Sequence, residues 1–330
     1  MLWDEPKIFF LERRYFFSII LSEFLKNRVA LHFGRGVSRM YEEKKCRTIC
    51  PPDFRAFWNA RADRAADCAM AMKPVAFHSP AAEYYELHLT AEDGAVLYAR
   101  YICPMGEKKV PTVLMFHDHG RGIRGWHHMT RFVALGYAVV ALENRFIQID
   151  VTADAEAGPD GIAAVKLVSD ALTMAQAARK LPRTDRARLI TWGEGLGAGL
   201  AIDVAAMIPG VVKCAALNPV PADFRTAWEQ NCNESIYAGV ISYFRNHDPE
   251  HTQEEQLFST LDYLDCVNFA SMLKSELLLG TSEMDTTAPP DTQDAVFRCA
   301  SGEKRQIRYP KYIHERINFY ENELLKFLHF

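Results

Sequence analysis

At 330 residues, 49% hydrophobic and 24% charged, the chain is long enough for one large α/β domain or two ordinary ones, and its composition is that of a folded protein with a sizeable core. A formal charge of -4, a pI near 6.3 and scattered Lys and Arg argue against nucleic acid or an anionic membrane as partner. The eight cysteines form no C-x-x-C pair and read as free thiols in a reducing compartment, so the expected location is cytoplasmic.

Residues 1 to 39 are aromatic and apolar, but Asp4, Glu5, Glu12, Arg13 and Arg14 interrupt them. The longest uncharged run there, Tyr15 to Ser22, is far short of the roughly 20 residues a membrane helix needs, and no signal-peptide pattern is present. The stretch reads as an amphipathic extension, or as sequence upstream of a true start at Met40, ahead of a single domain over 40–330.

From residue 80 onward short β-rich runs alternate with longer helical ones, which predicts a doubly wound, mostly parallel sheet covered on both faces. "YYELHLTA" and "AVLYARYIC" form a hairpin turned by "EDG" at 92–94. "VPTVLMFHD" is a buried strand, "HHMTRFVALG" a helix ended by Gly136, "YAVVALEN" the next strand, and "GIAAVKLVSDALTMAQAARKL" a long helix. The strand "ARLITWG", a helix from Leu196 to about Met207 and the strand "VVKCAALNP" follow. Residues 221–270 read as a helical insertion, after which "SELLLGTSEMD" and "KRQIRYP" are strands and "INFYENELLKFL" is the closing helix.

The segment "ITWGEGLGAGLAID" at 189–202 sets Gly193, Gly195 and Gly197 as in a strand–turn–helix nucleophile elbow, in which the central residue of G-x-S-x-G is the attacking serine. Here that centre is Gly195. A dinucleotide-binding turn is the competing reading, but it asks for an early βα unit and an acid at the end of the next strand, and "VVKCAALNP" ends without one.

Four further segments, in order, resemble the acetyl xylan esterase and cephalosporin C deacetylase family, carbohydrate esterase family 7, from about Cys50 to the end. They are "PPDFRAFWNARADRA", "YFRNHD" with "LDYLDCVNFA", "LLLGTSEMDTTAPPDT" and "IRYPKYIHE". The resemblance implies an α/β-hydrolase fold acting on acetyl esters of small carbohydrates without a cofactor or metal, and a homo-oligomer, a hexamer in the family's manner. It sets Asp285 on the triad acid, His314 on the triad base and Gly195 on the nucleophilic serine. The backbone N–H groups of Leu196 and His119 fall on the oxyanion hole, His119 matching the tyrosine after the family's third-strand His-Gly pair. Of the family's R-G-Q motif only Arg145 remains, before Phe146 and Ile147, and it is expected to be a buried partner of a carboxylate.

Glycine has no atom with which to attack an ester, so the machinery is expected to be incomplete. The family's esterase chemistry, run slowly by a water beside His314, then competes with a non-catalytic binding or assembly role that keeps the pocket for a small acetylated sugar or other small ester. A third expectation is metal-dependent hydrolysis by the cluster His117, Asp118, His119, His127 and His128, although strand alternation turns Asp118 away from His117 and His119 unless the strand has ended. Restoring the hydroxyl with Gly195→Ser alone is expected to raise ester hydrolysis.

Overall fold

A computed structural model describes residues 46–145 and 158–329. The amphipathic extension over 1–39, and Phe146 and Ile147 of the altered motif, lie outside them.

Nine strands form one sheet: β1 (Met70–Pro74), β2 (Ala82–Thr90), β3 (Val96–Pro104), β4 (Val110–Phe116), β5 (Ala138–Leu142), β6 (Thr184–Glu194), β7 (Val211–Leu217), β8 (Glu276–Ser282) and β9 (Lys304–Tyr309). Their spatial order is β1-β2-β3-β5-β4-β6-β7-β8-β9. The first three strands and the β3–β5 junction are antiparallel, and every other pairing is parallel. The hairpin closes with Thr90 opposite Val96 around the expected turn. β1 is an additional edge strand that pairs Met70 with Leu89.

The parallel strands are the apolar ones, because helices cover both faces. All five residues of β5, "AVVAL", are buried. One face carries α1 (Phe54–Ala65), α3 (Val165–Ala178) and α4 (Leu196–Met207). The other carries α2 (Trp126–Val133) and α10 (Asn318–Leu328). Gly136, at φ +85°, turns the chain out of α2 into β5. α4 is buried on nearly every side and accordingly shows no polar stripe.

The 221–270 insertion consists of α5 (Phe224–Glu229), α6 (Tyr237–Asn246), α7 (Glu254–Leu261) and α8 (Cys266–Ala270). α9 (Pro290–Cys299) carries the crossover from β8 to β9. All eight cysteines are free, and among the described residues no helix is long and apolar enough to cross a membrane.

Two of the family-like segments meet through aromatic packing. The Trp58 indole, fully buried, donates through Nε1 to the carbonyl of Tyr263 at 2.9 Å, while Phe54 meets Phe269 edge to face with centroids 4.8 Å apart. This contact ties α1 to the far end of the insertion. Trp58→Ala is expected to lower stability by about 3–5 kcal/mol, the usual loss for a buried aromatic and its cavity, read as a shift in the denaturant midpoint.

Candidate active site

Open parallel sheets place their ligands beyond the carboxyl ends of the strands. Asp118 follows β4 by two residues, Gly195 follows β6 directly, Asp285 follows β8 by three and His314 follows β9 by five. All four therefore stand on one edge of the sheet.

Gly195 has φ +58° and ψ -124°, the left-handed turn of an elbow, and its N–H is held by the carbonyl of Leu217 at 2.9 Å. Its neighbours must be glycine for packing reasons: a Cβ on Gly193 would overlap the backbone of Gly197, and one on Gly197 would overlap that of Phe116. The elbow thus has its strand, its helix and its flanking glycines, and its central residue lacks the side chain that a G-x-S-x-G elbow carries.

The seat of that side chain is not vacant. A Cβ built on Gly195 would overlap the carboxylate of Asp118. Oδ1 of Asp118 accepts from the N–H of His119 at 2.7 Å and of Leu196 at 3.0 Å, so both donors of the expected oxyanion hole converge on one oxygen of the protein itself. Oδ2 lies 3.2 Å from Nε2 of His314, whose Nδ1 lies 2.7 Å from Oδ2 of Asp285. Asp285, 3% exposed, is held in turn by the N–H groups of Thr287 and Ala288 at 2.8 Å each. The observed line is Asp285–His314–Asp118, two carboxylates clamping one imidazole.

The electrostatics follow from that arrangement. Burial pulls the His314 pKa down, but the hydrogen bonds and charges of Asp118 and Asp285 outweigh it and raise it from 6.5 to about 9. Burial works against the Asp118 carboxylate too, yet His314 and the two N–H donors hold its pKa below the ordinary value. At neutral pH His314 is therefore a cation donating to both carboxylates, and it is not a base. Asp118 fills the room that glycine leaves, and the hollow that remains beside His314 is about 10 Å³, close to the space of a single water.

The other histidines do not gather. β4 ends at Phe116, so strand alternation no longer governs the triplet that follows. His117 donates from Nδ1 to the carbonyl of Asp118 at 2.9 Å and accepts at Nε2 from the N–H of Asn144 at 3.1 Å, which fixes the loop. The side chains of His119 and His127 are exposed. Burial and the guanidiniums of Arg131 and Arg124 depress the His128 pKa to about 4. Among the described residues no three His, Cys, Asp or Glu side chains converge as metal ligands, so the expected His117–His128 centre is not assembled. Arg145 pairs with Asp170 through two bonds of 2.6 and 2.8 Å and with Asp93 at 2.8 Å, as a structural clamp.

A doubly wound sheet, an elbow between β6 and α4, and an acid and a histidine after the last two strands define an α/β-hydrolase. Comparison with known proteins agrees. The acetyl xylan esterase (AXE1) family model matches residues 38–330, and the chain belongs to that family. It is 24% identical over 291 residues to the acetyl esterase Axe7A of Xylanibacter ruminicola, covering 79% of this chain and 62% of that longer protein. Acetyl xylan esterase 1 from Thermoanaerobacterium sp. JW/SL YS485 superposes with a TM-score of 0.80 at 27% identity, over 85% of this chain and 94% of that one. The acetyl xylan esterase of Paenibacillus sp. R4 shares the fold with a TM-score of 0.75 at 23% identity, over 84% and 94% of the two chains.

Because the folded His314 pKa is raised, its stabilisation is fully present below about 6.5 and lost as pH rises through about 9. The melting temperature should therefore fall across that window, and the fall should flatten in His314→Gln. A histidine ring titration followed by NMR should show Asp118→Asn moving the His314 pKa downward.

Proposed function

We propose that this family member has lost hydrolysis of acetyl esters at the chemical step while keeping the fold and a ligand pocket. The observation that carries the reading is Oδ1 of Asp118 seated on both N–H donors of the oxyanion hole. An ester oxyanion needs those donors, and removing one such donor alone slows acyl transfer roughly 100- to 1000-fold. Here both are taken, Gly195 offers no nucleophile, and the two carboxylate partners of His314 keep it protonated at neutral pH.

The pocket itself remains. Asp118 borders a cavity of about 250 Å³, lined also by His117, His119, Arg121 and Asn144, which suits a small polar molecule. By kinship that ligand is a small acetylated sugar or another small ester, bound by a homo-oligomer, a hexamer in the family's manner, in a reducing compartment.

The reading makes an unusual demand of rescue. Gly195→Ser alone drives a side chain into the Asp118 carboxylate and adds a non-glycine residue at φ +58°, a backbone strain of about 1–3 kcal/mol. It should lower stability and leave p-nitrophenyl acetate hydrolysis unchanged, contrary to what the sequence suggests. Gly195→Ser with Asp118→Gly frees the hole and returns His314 to a single acid partner. The double variant should raise acetate hydrolysis at least about tenfold, a small part of a complete triad's contribution, and should label at Ser with a fluorophosphonate where the native chain does not. A native chain that hydrolyses the acetate at a rate abolished by His314→Gln would overturn the proposal.

A further inference from the structure

We propose that Asp118 is itself a nucleophile, toward saturated carbon, and that the site hydrolyses small alkyl electrophiles bearing an anionic leaving group through an alkyl ester on the Asp118 carboxylate. This rests on the reading above that the oxyanion hole belongs to Asp118 and not to an ester substrate.

The geometry discriminates between the attacks open to a carboxylate in this seat. Attack on an acyl carbon builds charge on the substrate's carbonyl oxygen, and the two backbone donors that would receive it, Leu196 and His119, both bond Oδ1. Displacement at an sp³ carbon builds charge only on the departing group, so the filled hole is no obstacle. Arg121, with Nε 3.9 Å from Oδ2 and its side chain more than half exposed, stands beside the cavity and supplies positive charge for a leaving anion. The hole then serves the second step, because the oxygen it holds becomes the carbonyl oxygen of the alkyl ester. Hydrolysis of that ester needs two donors at that oxygen, which are in place from the start, and a base nearby, which His314 becomes once alkylation of Oδ2 lets it release its proton.

The steps balance. A lone pair of Oδ2 forms the O–C bond as the C–X bond breaks, releasing X⁻ and leaving a neutral ester. His314 thereby loses one of its two carboxylate partners, its affinity for the proton falls, and Nε2 releases that proton to solvent. The freed Nε2 takes a proton from water as the water oxygen adds to Cγ of Asp118, and the oxyanion forms on Oδ1 between the N–H groups of Leu196 and His119. Collapse expels the alkoxide, which takes the proton from His314, and the carboxyl group returns its own proton to Nε2. The sum is R–X plus water giving R–OH, H⁺ and X⁻, with Asp285 orienting the imidazole throughout.

The test uses 3-bromo-1-propanol, a size suited to the cavity, with the full chain in ¹⁸O-water. Expected are continuous bromide release, loss of that release to the uncatalysed rate in Asp118→Asn, and ¹⁸O in the Asp118 peptide of the native protein by mass spectrometry. His314→Gln should stop after the first step and retain one hydroxypropyl group on Asp118, separable by peptide mapping from any alkylated cysteine. A native protein without ¹⁸O at Asp118, together with an unmodified Asp118 in His314→Gln, overturns the proposal and needs no variant beyond one whose folding a melting curve checks. The p-nitrophenyl acetate assay on the same preparations keeps the two readings apart: acetate hydrolysis dependent on His314 sinks the closed-ester reading, whereas inert acetate with no mark on Asp118 sinks only this one.

Discussion

Everything distinctive about this site depends on one carboxylate oxygen held by two backbone N–H groups. An oxyanion hole is built to favour negative charge in a place that water cannot reach, and it does not distinguish a transient tetrahedral intermediate from a permanent anion. Oδ1 of Asp118 meets its requirements at 2.7 and 3.0 Å. Burying a carboxylate costs several kcal/mol unless it is paired and hydrogen-bonded. Asp118 meets both conditions, because the hole bonds one oxygen and the His314 imidazolium the other.

The two departures from the family pattern are therefore a single exchange. The resemblance sets Gly195, without a side chain, on the family's serine, and Asp118, with one, on the glycine of its third-strand His-Gly pair. The new carboxylate lies where a Cβ on Gly195 would stand. The two positions fit only each other: Asp118 facing a serine would overlap it, and Gly195 facing a glycine would leave an empty seat beside the half-buried His314. The volumes interlock and the charges do too, since a serine hydroxyl leaves the histidine with one carboxylate neighbour and Asp118 gives it two.

Much of this was legible in the chain. The alternation after residue 80 carries the parallel sheet, because strands buried on both faces, such as "AVVAL" in β5, must be apolar throughout. The edge strand β1 was not, since Met70–Pro74 is mostly exposed and ends in proline, so no buried face marks it. Nor does the pattern mark α9, because its polar composition from Asp291 to Asp294 and its start at Pro290 hide a short helix that only the parallel β8–β9 connection demands. At the site, the family resemblance points to Asp285, His314, Leu196 and His119, and the structure brings them together around Asp118. The direction of Asp118 is not legible from period-two alternation, because Asp118 stands beyond the end of β4 at Phe116. The signal was present as a charged residue at a glycine position next to a glycine at a serine position, and it needed the two positions to be read as neighbours.

The retention of Asp285 and His314 also finds a physical reason here. A dyad that had merely lost its nucleophile would bury a histidine and an acid with nothing to act on, and a buried carboxylate bonded to two N–H groups and an imidazole is not a low-cost feature to keep. With Asp118 in the hole, His314 becomes the counter-ion that makes a second buried carboxylate tolerable, and Asp285 becomes the group that keeps His314 turned toward it. The same three side chains switch character with one charge. While Asp118 is ionised the imidazole is a cation that bridges it to Asp285; on the proposed alkyl-ester route, a bond to carbon would neutralise that carboxylate and return the imidazole to an ordinary dyad histidine. On the proposed reading, a site so arranged is closed to acetyl-ester hydrolysis for the same reason that it is poised for hydrolysis of an ester of its own.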